Sequence, residues 1–139
     1  MNFSNKGENL MKLKLMFTIA AIYGIVLGLF ELIAPATASA GALTAASPGM
    51  LFMIVRFWGV SYIGLGLIAW LVRNADASKT RDGVAMGFFI FFALHALTSL
   101  YGHFTDTSTT THWVMAIVQG LIALGFFIAG RANMSTSTS

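Results

Sequence analysis

Residues 50–72 read MLFMIVRFWGVSYIGLGLIAWLV, a run of 23 residues carrying one full charge, Arg56. A helix needs about 20 apolar residues to cross the roughly 30 Å hydrocarbon core of a bilayer, so this stretch predicts a membrane-spanning helix. An arginine inside such a run is costly unless a partner or a wet cavity receives its charge. The remaining apolar runs supply the wall around Arg56.

Composition points the same way. The chain has 139 residues, of which 57% are hydrophobic and 9% charged, against about 25% charged in soluble domains. So little charge leaves lipid as the natural solvent, with room for one domain and roughly four crossings. The absence of cysteine excludes disulfides, thiolate metal sites, iron–sulfur clusters and cysteine nucleophiles. The formal charge of +3 bears on membrane orientation. No basic patch is interleaved with aromatics, so no nucleic-acid partner is expected.

Outward from residues 50–72, the chain divides into alternating apolar and polar segments. Residues 1–14 form a polar N-terminal tail with Lys6, Lys12 and Lys14. Residues 15–34 are the first span, with Glu31 near its end and a Gly24/Gly28 pair that permits close helix approach. Its basic start and the later Ala38-Ser39-Ala40 resemble a secretory signal. The length of the apolar run and the position of Glu31 favour a retained helix. Residues 35–49 are a loop rich in small residues. A charged turn, 73–82, follows the second span. The third span covers 83–104 and the fourth 112–130, joined by a polar turn at 105–111. Residues 131–139 are a Ser/Thr-rich tail expected to be disordered.

The expected fold is therefore an all-α integral membrane bundle of four transmembrane helices, up-down-up-down. Lys6, Lys12, Lys14, Arg73, Lys79, Arg81 and Arg131 all fall on one side, and the loops 35–49 and 105–111 hold no Lys or Arg. The positive-inside rule then places both termini in the cytoplasm, in a plasma or inner membrane.

Depth along antiparallel spans sorts the polar side chains. Counted inward from the outer ends, Glu31 is three residues deep, Thr98 six, Arg56 and Gln119 about seven, and His95 nine, while Tyr23 and Tyr62 lie deeper. The inner halves 63–72, 83–92 and 122–130 contain no charged, amide or hydroxyl side chain. This asymmetry predicts a polar pocket that opens outward above a dry apolar plug. A fixed water-filled pore would need polar groups along its whole length.

The candidate ligand-binding residues are Glu31, Arg56, Tyr62, His95, Thr98 and Gln119. Glu31 and Arg56 have two readings: a structural ion pair between adjacent helices, or an anion or head-group site at Arg56 positioned by Glu31. If they do not pair, Glu31 becomes a candidate proton carrier. His95 reads as a neutral histidine bonded across the bundle, or as a proton relay or quinone contact. A haem site lacks a second histidine at matching depth. His103, Asp106 and His112 match no standard metal spacing, so no metal or other cofactor is expected. Gln119, with Ala116 and Ala123 on its face, reads as interhelical glue. No nucleophile–base motif, phosphate loop or HExxH occurs.

GLFELIAP at 28–35 and RFWGVSYIGLGLIAWLVR at 56–73 resemble small bacterial four-helix inner-membrane proteins classed as a domain of unknown function. In those proteins an acidic residue often ends the first span and Arg-x-x-Gly begins the second, which are Glu31 and Arg56 with Gly59 here. The resemblance implies the four-helix membrane fold and carries no activity.

The leading expectation is a non-catalytic accessory or assembly subunit, or a binder of a lipid-like small molecule in the outer-half pocket. Its partners would be the bilayer, an apolar small molecule, and a membrane protein or a second copy of the chain. The alternatives are a proton-coupled transporter using Glu31 or His95, and an enzyme acting on a lipid or quinone with His95 and Arg56 in its site.

Overall fold

The computed structural model describes residues 3–40, 42–105 and 112–137, and the side chains of 11–40, 42–105 and 112–131. Asp106 and most of the polar turn 105–111 lie outside them, as does the side chain of Lys6. The described elements are α1 (Phe3–Ile33), a one-turn α2 (Pro35–Ala38), α3 (Gly49–Val72), α4 (Lys79–Thr105) and α5 (His112–Ser137). No strand occurs among the described residues.

Local chemistry sets the element ends. The residue before a proline is pushed out of the helical region. Ala34 accordingly sits at φ −128°, ψ 58°, ending α1 and leaving Pro35 at the start of α2. Pro48, with φ −55° and ψ 137°, precedes α3. Ser78 caps α4: its Oγ accepts the backbone N–H of Arg81 at 3.2 Å, the usual way to satisfy an orphan donor of the first turn. That cap starts α4 at Lys79, four residues before Gly83, and turns Arg81 into the bundle, where it is buried 6.0 Å from the Phe17 ring. At the other two boundaries, helix covers 3–14, and α5 continues past Arg131 to Ser137.

Four stretches are long and apolar enough to cross a bilayer: Met11–Ile33, Gly49–Val72, Lys79–Thr105 and His112–Arg131. Leu15, Val26, Ile33, Leu71, Leu97, Phe104 and Leu121 are each more than half exposed on their outer faces. Water would penalise that surface heavily, whereas hydrocarbon does not. The protein is an all-α four-helix membrane bundle.

Its helices pair unequally. The closest pair is α1 with α3, running antiparallel, followed by α4 with α5, and α1 joins the two hairpins by packing on α5. In contrast, α3 and α4 hardly approach at the backbone, so side chains fill that seam.

Association in lipid draws little on the hydrophobic effect, because tails are as apolar as leucine; close packing has to supply it. The α1–α3 seam shows this directly. A Cβ on Gly24 would lie 2.7 Å from the Tyr62 carbonyl oxygen, and one on Gly59 2.6 Å from that of Gly28. Only glycine fits, and its Cα–H groups face carbonyls across the seam. The predicted Gly24/Gly28 pair thus has its counterpart in Gly59 and Gly66.

Toward the end that carries Arg73, Lys79, Arg81 and Arg131, the core is aromatic, with Arg81 buried at its edge. Phe17, Phe88, Phe92 and Phe126 are buried. Phe17 meets Phe126 edge-on at 5.3 Å and Phe88 at 5.8 Å, and Phe88 stacks on Phe126 at 5.3 Å. Leu13, Ala21, Ala69, Ala85 and Ala129 fill the rest. Two basic side chains anchor this end on rings: Arg73 lies 3.2 Å above Trp70 and Arg131 5.4 Å from Phe127.

Candidate functional site: a buried polar layer above the aromatic floor

Gln119 lies about two turns into α5 and is 3% exposed. A buried amide needs partners for both its oxygen and its nitrogen, and three other helices provide them. Its Nε2 donates to the Tyr62 hydroxyl at 3.1 Å and to the Tyr23 hydroxyl at 3.4 Å. Its Oε1 accepts from Ser99 Oγ at 3.3 Å. Tyr62 is in turn 3.0 Å from His95 Nδ1. Donation by Tyr62 uses the one proton its hydroxyl carries and makes Nδ1 the acceptor; this assignment of the tautomer puts the ring proton on Nε2. Donation runs in one direction, Ser99 to Gln119 to Tyr62 to His95, and touches α3, α4 and α5; Tyr23 adds α1.

Aromatic contacts hold the layer in place. Tyr62 packs edge-on against Tyr23 at 6.1 Å, Phe91 at 5.8 Å and His95 at 5.6 Å. The Phe91 and His95 rings are 4.3 Å apart. Tyr23 rests on Phe92 at 5.8 Å, which joins the polar layer to the floor.

Glu31 sits above this layer, toward the end opposite the basic residues. It is 8% exposed, and its Oε2 is buried with no hydrogen-bond partner. The expected ion pair with Arg56 is not made. Arg56 is exposed and, among the described residues, reaches only Met53 Sδ, at 4.0 Å. Helical geometry explains the separation. Gly59 of α3 faces α1, and Arg56 and Tyr62 lie on its two flanks, about 120° apart around the helix. Tyr62 enters the bundle; Arg56 points away from it. With the Gly28 and Gly59 backbones in contact, no room remains for a salt bridge through the seam.

Of the six predicted site residues, the fold therefore unites Tyr62, His95 and Gln119, with Glu31 above them. Arg56 and Thr98 are on exposed faces. Two members of the layer, Tyr23 and Ser99, were not among the six. Ser99 follows His95 by four residues and sits about 40° from it around α4, whereas Thr98 is about 60° away on the other side. The i+4 spacing was the available signal. Tyr23 was visible as a deep polar group, and its seat beside the seam glycine Gly24 directs it inward.

The layer's open valences define what it can do. His95 Nε2–H and the Tyr23 O–H have no acceptor among the described residues, and Glu31 has no donor. These groups can hold a polar head group. The described residues contain no group of three or more His, Asp or Glu side chains placed to hold a metal. His103 is exposed, and His112 packs over Gly102. Two cavities of about 250 and 440 Å³ lie elsewhere. The smaller is near Asp82 and Arg131, and the larger runs between α4 and α5 along Ala93, Ala96, Ala116 and Gly120. No family model, curated protein or solved structure matches the chain.

Proposed function

We propose that the protein is a non-catalytic inner-membrane protein, with both termini cytoplasmic, that binds a lipid-like small molecule through its outer-half polar layer. One observation carries this reading: a partly buried polar layer drawn from all four spans, with unused valences at Tyr23 and His95 and at Glu31 above it, lies over an aromatic floor. Buried polar groups are costly in a membrane and tend to mark function. The floor of Phe17, Phe88, Phe92 and Phe126 argues against a through-path, and so against the transporter reading. Orientation rests on charge: the described loop residues 34–40 and 42–48 carry no Lys or Arg, whereas the opposite end is basic.

A second reading, an accessory or assembly subunit, is favoured by the 440 Å³ groove between α4 and α5. Ala93, Ala96, Ala116, Gly120 and Ala123 form its small-residue strip, the kind of surface against which membrane helices pack closely, between Phe89, Leu97, Leu124 and Phe127.

Native mass spectrometry after gentle extraction from the native membrane tests both. A small molecule retained by the single chain, and lost in Gln119→Leu, supports the binder. A stoichiometric protein partner with no small molecule replaces that reading with the subunit.

A further inference from the structure

We propose that Glu31 is a proton-binding site set in the α1–α3 seam: as the neutral acid it lets the outer ends of the two helices close, and as the carboxylate it parts them. No ligand is involved, so this inference stands or falls apart from the binder reading.

Position in the seam leads there. Glu31 is more than nine-tenths buried, and its Oε2 has no partner. The side chain is rooted in the helix contact itself: a Cβ on Gly59 would lie 3.1 Å from Glu31 Cβ and 2.6 Å from the Gly28 carbonyl oxygen. No element around it supplies a counter-charge. On α3, Arg56 is exposed, and the Tyr62 hydroxyl is engaged with His95 and Gln119. On α1, the Tyr23 hydroxyl accepts from Gln119. The one-turn α2, Pro35–Ala38, has no titratable side chain. On α4, His95 is held by Tyr62 and His103 is exposed, while His112 of α5 packs over Gly102. No Lys, Arg or His among the described residues forms an ion pair with Glu31. A buried carboxylate without a partner is far costlier than the uncharged acid, so the group takes up a proton instead. The closed seam therefore fits the neutral form. Ionisation brings a demand for water, and where two backbones touch, water enters by separating them. Only the outer turn is free to part, because α1 ends two residues on, at Ile33, while the Gly24 contact with the Tyr62 carbonyl holds the seam further in. The proton accordingly exchanges with the outer side.

The test uses the full chain in dodecyl maltoside micelles, which carry no charge. Infrared spectra at neutral pH should show the carbonyl stretch of a protonated carboxylic acid, removed by Glu31→Gln and kept in Asp82→Asn. A wild type without that band would overturn the proposal even if Glu31→Gln failed to fold. A band surviving in a folded Glu31→Gln would do the same, as would one that alkaline pH never removes. Stability supplies the sign. Folding takes up a proton that the unfolded chain has released, so the folding equilibrium constant should fall as pH rises above neutral, by up to tenfold per pH unit. Glu31→Gln should lose that dependence, and a wild type equally independent of pH would count against a proton taken up on folding. Opening is read with spin labels, since the chain has no cysteine of its own. Leu29→Cys with Val60→Cys, both exposed near the outer end, should move apart between neutral and alkaline pH. Leu15→Cys with Leu71→Cys, exposed at the floor end, should not. Neither pair should respond in Glu31→Gln. A constant Leu29–Val60 separation while the infrared band disappears would mean that the carboxylate finds water without parting the helices, and would overturn the coupling.

Discussion

Alanine at Gly59 and alanine at Gly64 should have opposite effects, although the two positions lie on one helix and the substitution is identical. At Gly59 the new methyl would meet the Gly28 carbonyl oxygen at 2.6 Å, the Leu32 backbone nitrogen at 3.0 Å and Glu31 Cβ at 3.1 Å. Two of these are backbone atoms and cannot step aside, so α1 and α3 must separate. Overpacking of this kind costs about 1–3 kcal/mol. Each Cα–H···O hydrogen bond that breaks as the helices part adds about 0.5–1 kcal/mol. A total of about 2–4 kcal/mol follows from those two ranges. At Gly64 nothing lies within 4 Å of the added carbon, and alanine's better helix propensity contributes up to about 1 kcal/mol in its favour. The assay is reversible unfolding in mixed micelles with increasing dodecyl sulfate fraction, followed by circular dichroism. Gly59→Ala should shift the midpoint down and Gly64→Ala should leave it unchanged or raise it. A Gly59→Ala midpoint equal to that of Gly64→Ala would refute the seam as the main hold on the first hairpin.

In the same assay Gln119→Leu removes three hydrogen bonds, and at about 0.6 kcal/mol each in a membrane interior should cost about 2 kcal/mol; no loss would mean the layer contributes nothing to stability. Phe126→Ala opens a hole in the aromatic floor and should cost about 3–5 kcal/mol, while Ile128→Ala on the exposed face should cost far less; equal losses would dismiss the floor as a packed core. Arg56→Ala should change stability by no more than about 0.5 kcal/mol, as for a surface side chain without a partner, and a loss several times larger would restore the ion pair with Glu31. Because the chain has no cysteine, single cysteines at Ala45 and Ala77 can report orientation in intact cells: an impermeant maleimide should label Ala45→Cys from outside and spare Ala77→Cys, and the reverse pattern would invert the proposed topology.

The architecture was legible in the sequence because lipid imposes a length rule and a charge rule that need no tertiary information. Apolar runs of about 20 residues located the spans, and the basic residues sorted the ends. Depth counting also separated a polar half from an apolar one, since rise per residue is fixed and the spans are antiparallel. Rotation was harder to read. Arg56 and Glu31 do share a level, yet whether they meet depends on a flank, and the flank was settled by which glycines form the seam. Gly59 was visible only as part of a resemblance, without a partner surface. Arg81 misled for a related reason: in a charged turn it looks solvated, and only the Ser78 cap, by starting α4 early, rotates it inward.

Seam and layer depend on each other, and this links the fold to the proposed site. Gly24 precedes the carboxyl residue Glu31 by seven positions on the seam face of α1, and its neighbour Tyr23 points into the layer. Gly59 and Gly66 bracket Tyr62 on α3. Close backbone approach between Gly28 and Gly59 therefore sets the spacing of Tyr23, Tyr62 and Glu31 together. A methyl that pries the helices apart should spread these three groups as well as weaken the bundle. Ligand retention ought then to fall in Gly59→Ala even under conditions where the variant is still fully folded. The same loss is not expected from Phe126→Ala, whose defect is confined to the floor. If both variants bound equally well while folded, the seam would hold the helices without shaping the site.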